Sequence, residues 1–186
     1  AVPIIDIASQ ENFFEIPISY KNGYLEAVKI SLKYCLDQGV EVDSWYWDIF
    51  DERHSEKFEF WRGCYPDNFP PQTPLHHVNH KVGVVSFNQK VNYQEAQQVL
   101  RRRGFKPAHH VLTLAWAARF LSSFLKNNPN TEISCIGSSY HRTYYTTTSG
   151  HMCLVERDGS FKVSFEDTHG QDFSVGTKIL VERITD

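Results

Sequence analysis

The chain has 186 residues, 41% of them hydrophobic, and a formal charge of −3. That length supports one compact domain or two small ones whose core needs no disulfide staples. The mildly acidic balance argues against non-specific nucleic-acid binding, which needs clustered Lys and Arg against phosphate. Arg101, Arg102 and Arg103 form the one basic run, and they suit the last turn of a helix, where cations complement the helix dipole.

No apolar run reaches the roughly 18 residues that span a bilayer. The first residues, AVPIIDIASQENFF, lack the basic start and long apolar core of a signal peptide. Cys35, Cys64, Cys135 and Cys153 are widely spaced with no Cys-x-x-Cys pair. They are expected to be reduced, mostly buried thiols of a cytoplasmic protein.

In chain order, residues 2–7 suit a strand, with Pro3 at its edge or start. Asn22 is the expected cap of a helix with Leu25, Val28, Leu32, Cys35 and Leu36 on its apolar stripe, and Gly39 stops it. Residues 42–50, VDSWYWDIF, alternate as a strand, and Phe58, Phe60 and Trp61 mark a second one beyond a polar turn. Residues 63–80 hold four prolines in eighteen positions. Such a stretch excludes regular structure and sets the expected division, with a small α+β subdomain over 1–80 and an α+β core over 81–186.

The core begins with a strand at 81–87. Asn92 and Glu95 then form a capping box ahead of a helix carrying Tyr93, Ala96, Val99 and Leu100, which ends at Gly104. A second helix follows Pro107, with Val111, Leu114, Ala115, Ala118, Leu121 and Leu125 on its stripe. Its polar side is narrow, so it should be deeply packed. Asn128-Pro129-Asn130 turns the chain into a strand at 132–137, and a long loop over 138–150 is expected next. Residues 152–156 read as a central strand, Asp158-Gly159 as a hairpin turn, 161–165 as a half-wet strand and 178–184 as the closing strand.

This order, with Tyr93-Gln94-Glu95-Ala96, the Gly104-Phe105-Lys106-Pro107-Ala108 hinge, Cys135-Ile136-Gly137 and a C-terminal strand, resembles the C-type-lectin-like fold over residues 81–186. It is also similar to bacterial proteins with a Gly-Phe-Arg-Pro-Ala hinge, which points to a bacterial or phage source. The resemblance implies two helices on a mostly antiparallel sheet, and ligands meeting the loop after Ile136-Gly137. The fold's usual disulfide cysteines are missing, Leu100 standing at the first, and so are its acidic-Pro-Asn and Trp-Asn-Asp calcium and sugar motifs. Calcium-dependent sugar binding is therefore not expected.

In the 138–150 loop, Tyr140, His141, Arg142, Tyr144 and Tyr145 stand among small hydroxyl residues. Tyr and Arg are the types enriched at binding hot spots. The leading expectation is accordingly a non-enzymatic recognition module for a protein, small-molecule or glycan ligand, with no membrane or nucleic-acid partner. Against it stands a surface hairpin whose tyrosines merely cover core edges.

Three constellations could carry chemistry. His151 and Asp167 resemble the His and Asp strands of transglutaminase-like thiol hydrolases, where Asp orients the His that activates a cysteine. The position where that family's cysteine stands reads Pro107-Ala108-His109-His110, with no thiol. His76, His77 and His80 near Cys64 have ligand types for zinc, and His109-His110 could complete the set through a tertiary contact. Asp6, Glu15, Asp48 and Asp51 could pair for acid–base work, although no spacing forces them together. No nucleotide-binding, zincin or serine-hydrolase motif occurs.

Overall fold

A computed structural model of the chain describes residues 5–6, 13–43, 77–144, 146–167 and 172–184, with backbone alone at 5–6, 24–25, 138–144, 146–150 and 165–167. The strands expected at 44–50 and 58–61, and the proline-rich run up to residue 76, lie outside the described residues.

The architecture is α+β. Its strands are β1 (Ile5–Asp6), β2 (Phe14–Ser19), β3 (Glu41–Val42), β4 (His77–Phe87), β5 (Phe105–Pro107), β6 (Ile133–Tyr144), β7 (Thr146–Arg157), β8 (Ser160–Asp167) and β9 (Lys178–Arg183). Among the described residues they form one sheet in the order β1-β4-β9-β6-β7-β8-β3, with β2 also on β4 and β5 also on β9. Pairing is antiparallel except for β3 on β8 and β6 on β9. The expected division at residue 80 falls inside β4, and β1 and β2 join the same sheet through β4.

The helices are α1 (Tyr24–Asp37), α2 (Tyr93–Arg102), α3 (His110–Trp116) and α4 (Ser122–Asn127). A π-helical turn, Ala117–Leu121, joins the last two, where the apolar periodicity alone suggests one unbroken helix. This wider turn sets Phe120 on Phe14, with ring centroids 4.2 Å apart, and Arg119 over the ring of Tyr34. α1 is entered through Gly23 at φ 94° rather than capped by Asn22, and no side chain caps it. Leu36, expected on its stripe, is exposed. The capping box of α2 is present: Asn92 Oδ1 accepts from the Glu95 amide at 2.9 Å.

The central strands are apolar on both faces because helices cover both. Val82, Val84, Leu180, Met152 and Leu154 pack with α1 and α3. The alternate positions Val85, Phe87, Ile179 and Val181 pack with Ala96 and Leu100 of α2. Strand alternation makes this unavoidable: successive residues face opposite sides.

Two features differ from the expected pattern. The hinge after Gly104 is a short strand, with Phe105 opposite Arg183 and Pro107 opposite Val181. Residues 138–144 and 146–150 are not a loop but the far halves of β6 and β7, paired from Ser139↔His151 to Tyr144↔Thr146. The physical reason is local: this run is rich in Tyr and Thr, which favour strands, and no Pro or Gly interrupts 138–149. The Asp158-Gly159 turn has positive φ at both residues, as a two-residue hairpin turn requires.

Candidate functional site

Two parts of this fold gather residues able to act on something else: a buried polar cluster at the start of α3, and the outer ribbon of β6 and β7.

The cluster follows from register. Val82 of β4 lies opposite Glu182 of β9, and Lys106 of β5 lies opposite Glu182 on its other side. His80, two residues from Val82, shares its face, so the imidazole and the carboxylate meet diagonally. His80 Nδ1 and Glu182 Oε1 are 2.5 Å apart, with side chains only 8% and 9% exposed. Tyr20, just past β2, reaches the other ring nitrogen, its hydroxyl 2.8 Å from Nε2. His109, the residue before α3, completes the group, with its ring centroid 5.7 Å from that of His80 and nearly perpendicular to it.

Lys106 Nζ lies 3.4 Å from Glu182 Oε2 as an ion pair. Oε2 is nevertheless buried with no hydrogen-bond donor among the described residues. His109 is held well below the ordinary histidine range, first by burial and then by the nearby His80, His110 and Lys106. A neutral imidazole keeps a lone pair for a proton or a cation. Hydroxyl, imidazole and carboxylate in sequence can pass or hold a proton. Two imidazoles and a carboxylate can also ligate a metal.

The ribbon is different in kind. β6 pairs with β9 only at Ile133 and Ser134, and β7 pairs with β8 from Gly150 onward. Among the described residues, 139–144 and 146–149 therefore pair with one another alone. Tyr140, His141, Arg142 and Tyr144 all belong to this ribbon, whereas Tyr145 lies outside the described residues. The register of β6 shifts between Cys135 and Ser139, where the ribbon leaves the sheet. Gly137 sits at that shift against the hinge: an added Cβ would stand 2.3 Å from the Ala108 carbonyl oxygen. The two motifs of the sequence, Ile136-Gly137 and the Gly104–Ala108 hinge, are thus in direct backbone contact.

The remaining candidates are dispersed. Register sets Glu166, not Asp167, opposite His151, and Gly150 opposite Asp167. His151 is buried, its ring 6.3 Å from that of Phe173. Cys35, Cys135 and Cys153 are buried thiols. Burial pushes Cys35 up to about 12, and burial with the neighbouring Cys153 pushes Cys135 upward. A thiol so raised is a poor nucleophile. Of the zinc candidates, His77 is exposed and His80 buried, while His76 and Cys64 lie outside the described residues. Asp6 is in β1 and Glu15 is exposed on β2 opposite Lys81, whereas Asp48 and Asp51 lie outside the described residues.

A groove of about 410 Å³ also opens between β2 and α1, edged by Ser19, Ile30, Tyr34 and Arg119. Among the described residues no helix is long and apolar enough to cross a membrane. Compared with family models, curated proteins and solved structures, the chain gives no match.

Tyr20 and Glu182 escape sequence reasoning. Glu182 had one available signal, since it shares the inward parity of Leu180 in the strand KILVER. An acid at an inward strand position needs a buried partner.

Proposed function

We propose that this chain is a non-enzymatic recognition module that engages a protein partner through the β6–β7 ribbon. One observation carries the reading: among the described residues both strands run on past their last sheet neighbours as a two-stranded ribbon built of Tyr, His, Arg, Thr and Ser. A ribbon without further strands is marginal in water and gains from a surface to lie against. Period-two alternation groups positions 140, 142 and 144 on one face, giving Tyr, Arg and Tyr, the hot-spot residue types. The charge of −3 disfavours a polyanionic partner.

The region from β4 onward is proposed to be C-type-lectin-like, a reading supported by the antiparallel pairing of β9 beside β4. The rival, a thiol hydrolase built on His151 and Asp167, has less support. Its two residues are one step out of register, and the thiols of Cys35 and Cys135 are held protonated.

The test compares the immobilised full chain with a Tyr140→Ala/Tyr144→Ala variant in the same lysate. Proteins retained by the parent should be lost by the variant, while thermal unfolding changes by no more than about 0.5 kcal/mol, as for surface substitutions. An identical retained set from both would overturn the reading.

A further inference from the structure

We propose that His80, His109 and Glu182 hold a divalent transition-metal ion of the zinc class between β4, β9 and the start of α3. The site is independent of the ribbon and of the recognition it serves. One ligand atom from each of the three residues lies within 4.8 Å of the others, and all three residues are buried. Tetrahedral zinc with bonds of about 2.0–2.1 Å needs ligand atoms roughly 3.3 Å apart, so His80 Nδ1 and Glu182 Oε1, 2.5 Å apart, open by under about 1 Å around the ion while the third ligand closes in. Two imidazoles and one carboxylate suit this class of ion better than calcium or magnesium, which take oxygen ligands.

The surroundings match what a metal site requires of its outer partners. The Tyr20 hydroxyl occupies Nε2 of His80 at 2.8 Å, which leaves Nδ1 turned toward Glu182. Such an outer hydrogen bond fixes the ring and its tautomer. With the ion bound, His80 ligates through the Nδ1 lone pair and carries its ring proton on Nε2, which donates to the Tyr20 hydroxyl oxygen; any further proton between Nδ1 and Oε1 leaves for solvent as the ion enters. Glu182 Oε2, buried without a hydrogen-bond donor among the described residues, keeps its lone pairs. Among the described residues the cation paired with Glu182 Oε2 is Lys106, 49% exposed, whose ammonium has water to move into. Three protein ligands leave a fourth position for water.

The experiment uses the full chain, stripped with a chelator and titrated first with Zn²⁺ and then with Co²⁺. One ion per chain is expected, and the Co²⁺ form should show d–d bands of a low-coordinate site without a thiolate-to-cobalt band. Tyr20→Phe should weaken Zn²⁺ binding about tenfold, the scale of a lost outer partner. His109→Ala should weaken it by on the order of 100-fold or more. Lys106→Ala, at a half-exposed position, should leave the fold intact and tighten binding. A Cys64→Ser/His76→Ala/His77→Ala variant should bind as the parent does. Failure of the parent chain to take up stoichiometric Zn²⁺ overturns the proposal. So does a thiolate-to-cobalt band, or binding lost in the Cys64 variant and kept in His109→Ala. If His109→Ala does not fold, unchanged affinity in both Tyr20→Phe and Lys106→Ala overturns it as well.

Discussion

The cluster around His80 and the ribbon of β6 and β7 hold their polar residues in opposite ways. In the cluster, Tyr20, His80 and Glu182 come from far apart in the chain and meet inside the fold, His80 being answered at both ring nitrogens. In the ribbon, the polar residues are neighbours in sequence, held out along a pair of strands that no third strand joins among the described residues. Buried polar groups are costly unless satisfied, so the cluster is tied to the stability of the whole chain. On the proposed reading, the ribbon residues are the ones offered to a partner. The difference separates polar residues gathered by the fold from polar residues gathered by the sequence.

Substitutions should divide along the same line. Glu182→Ala removes the carboxylate between His80 and Lys106 and should cost about 3 kcal/mol or more, because it leaves buried polar groups unanswered. Urea unfolding measures it; an unchanged midpoint would mean that the cluster does not support the fold. Gly137→Ala stands where the two regions join. Its new Cβ meets the Ala108 backbone, which cannot step aside like a side-chain tip, and a loss of about 3 kcal/mol is expected. A near-neutral Gly137→Ala would show that β6 leaves the sheet without leaning on the hinge. The smallest effect belongs to the ribbon, where Tyr140→Ala/Tyr144→Ala should leave the unfolding midpoint nearly in place.

The same contrast explains what could be read from the sequence. Local signals translate well: the Asn92–Glu95 cap, the turn at Asp158-Gly159, the stripe of Val28, Leu32 and Cys35, and the closing strand all have causes within a few residues. The tyrosine-rich run was legible as a place but not as a form. Its hydroxyl residues suggest a loop, whereas Tyr and Thr pair readily as strands. The cluster was legible only in fragments. His80 and His109 stand out as histidines, but nothing local links them to each other or to Tyr20 and Glu182, because strand register across β4, β9 and β5 makes that link. The π-helical turn at Ala117–Leu121 likewise has no local marker: the stripe reads through it, and its contacts are with Phe14 and Tyr34.

Residue-resolved amide hydrogen exchange on the native chain tests most directly whether the ribbon is separable from the fold. The paired centre of β4 and β9, Val82 to Ser86 against Lys178 to Glu182, should open only with global unfolding. Amides from Thr143 to Thr148 should exchange orders of magnitude faster, through openings that leave the core intact. Equal protection in the two regions would contradict the account, because the ribbon would then be part of the same cooperative unit as the cluster.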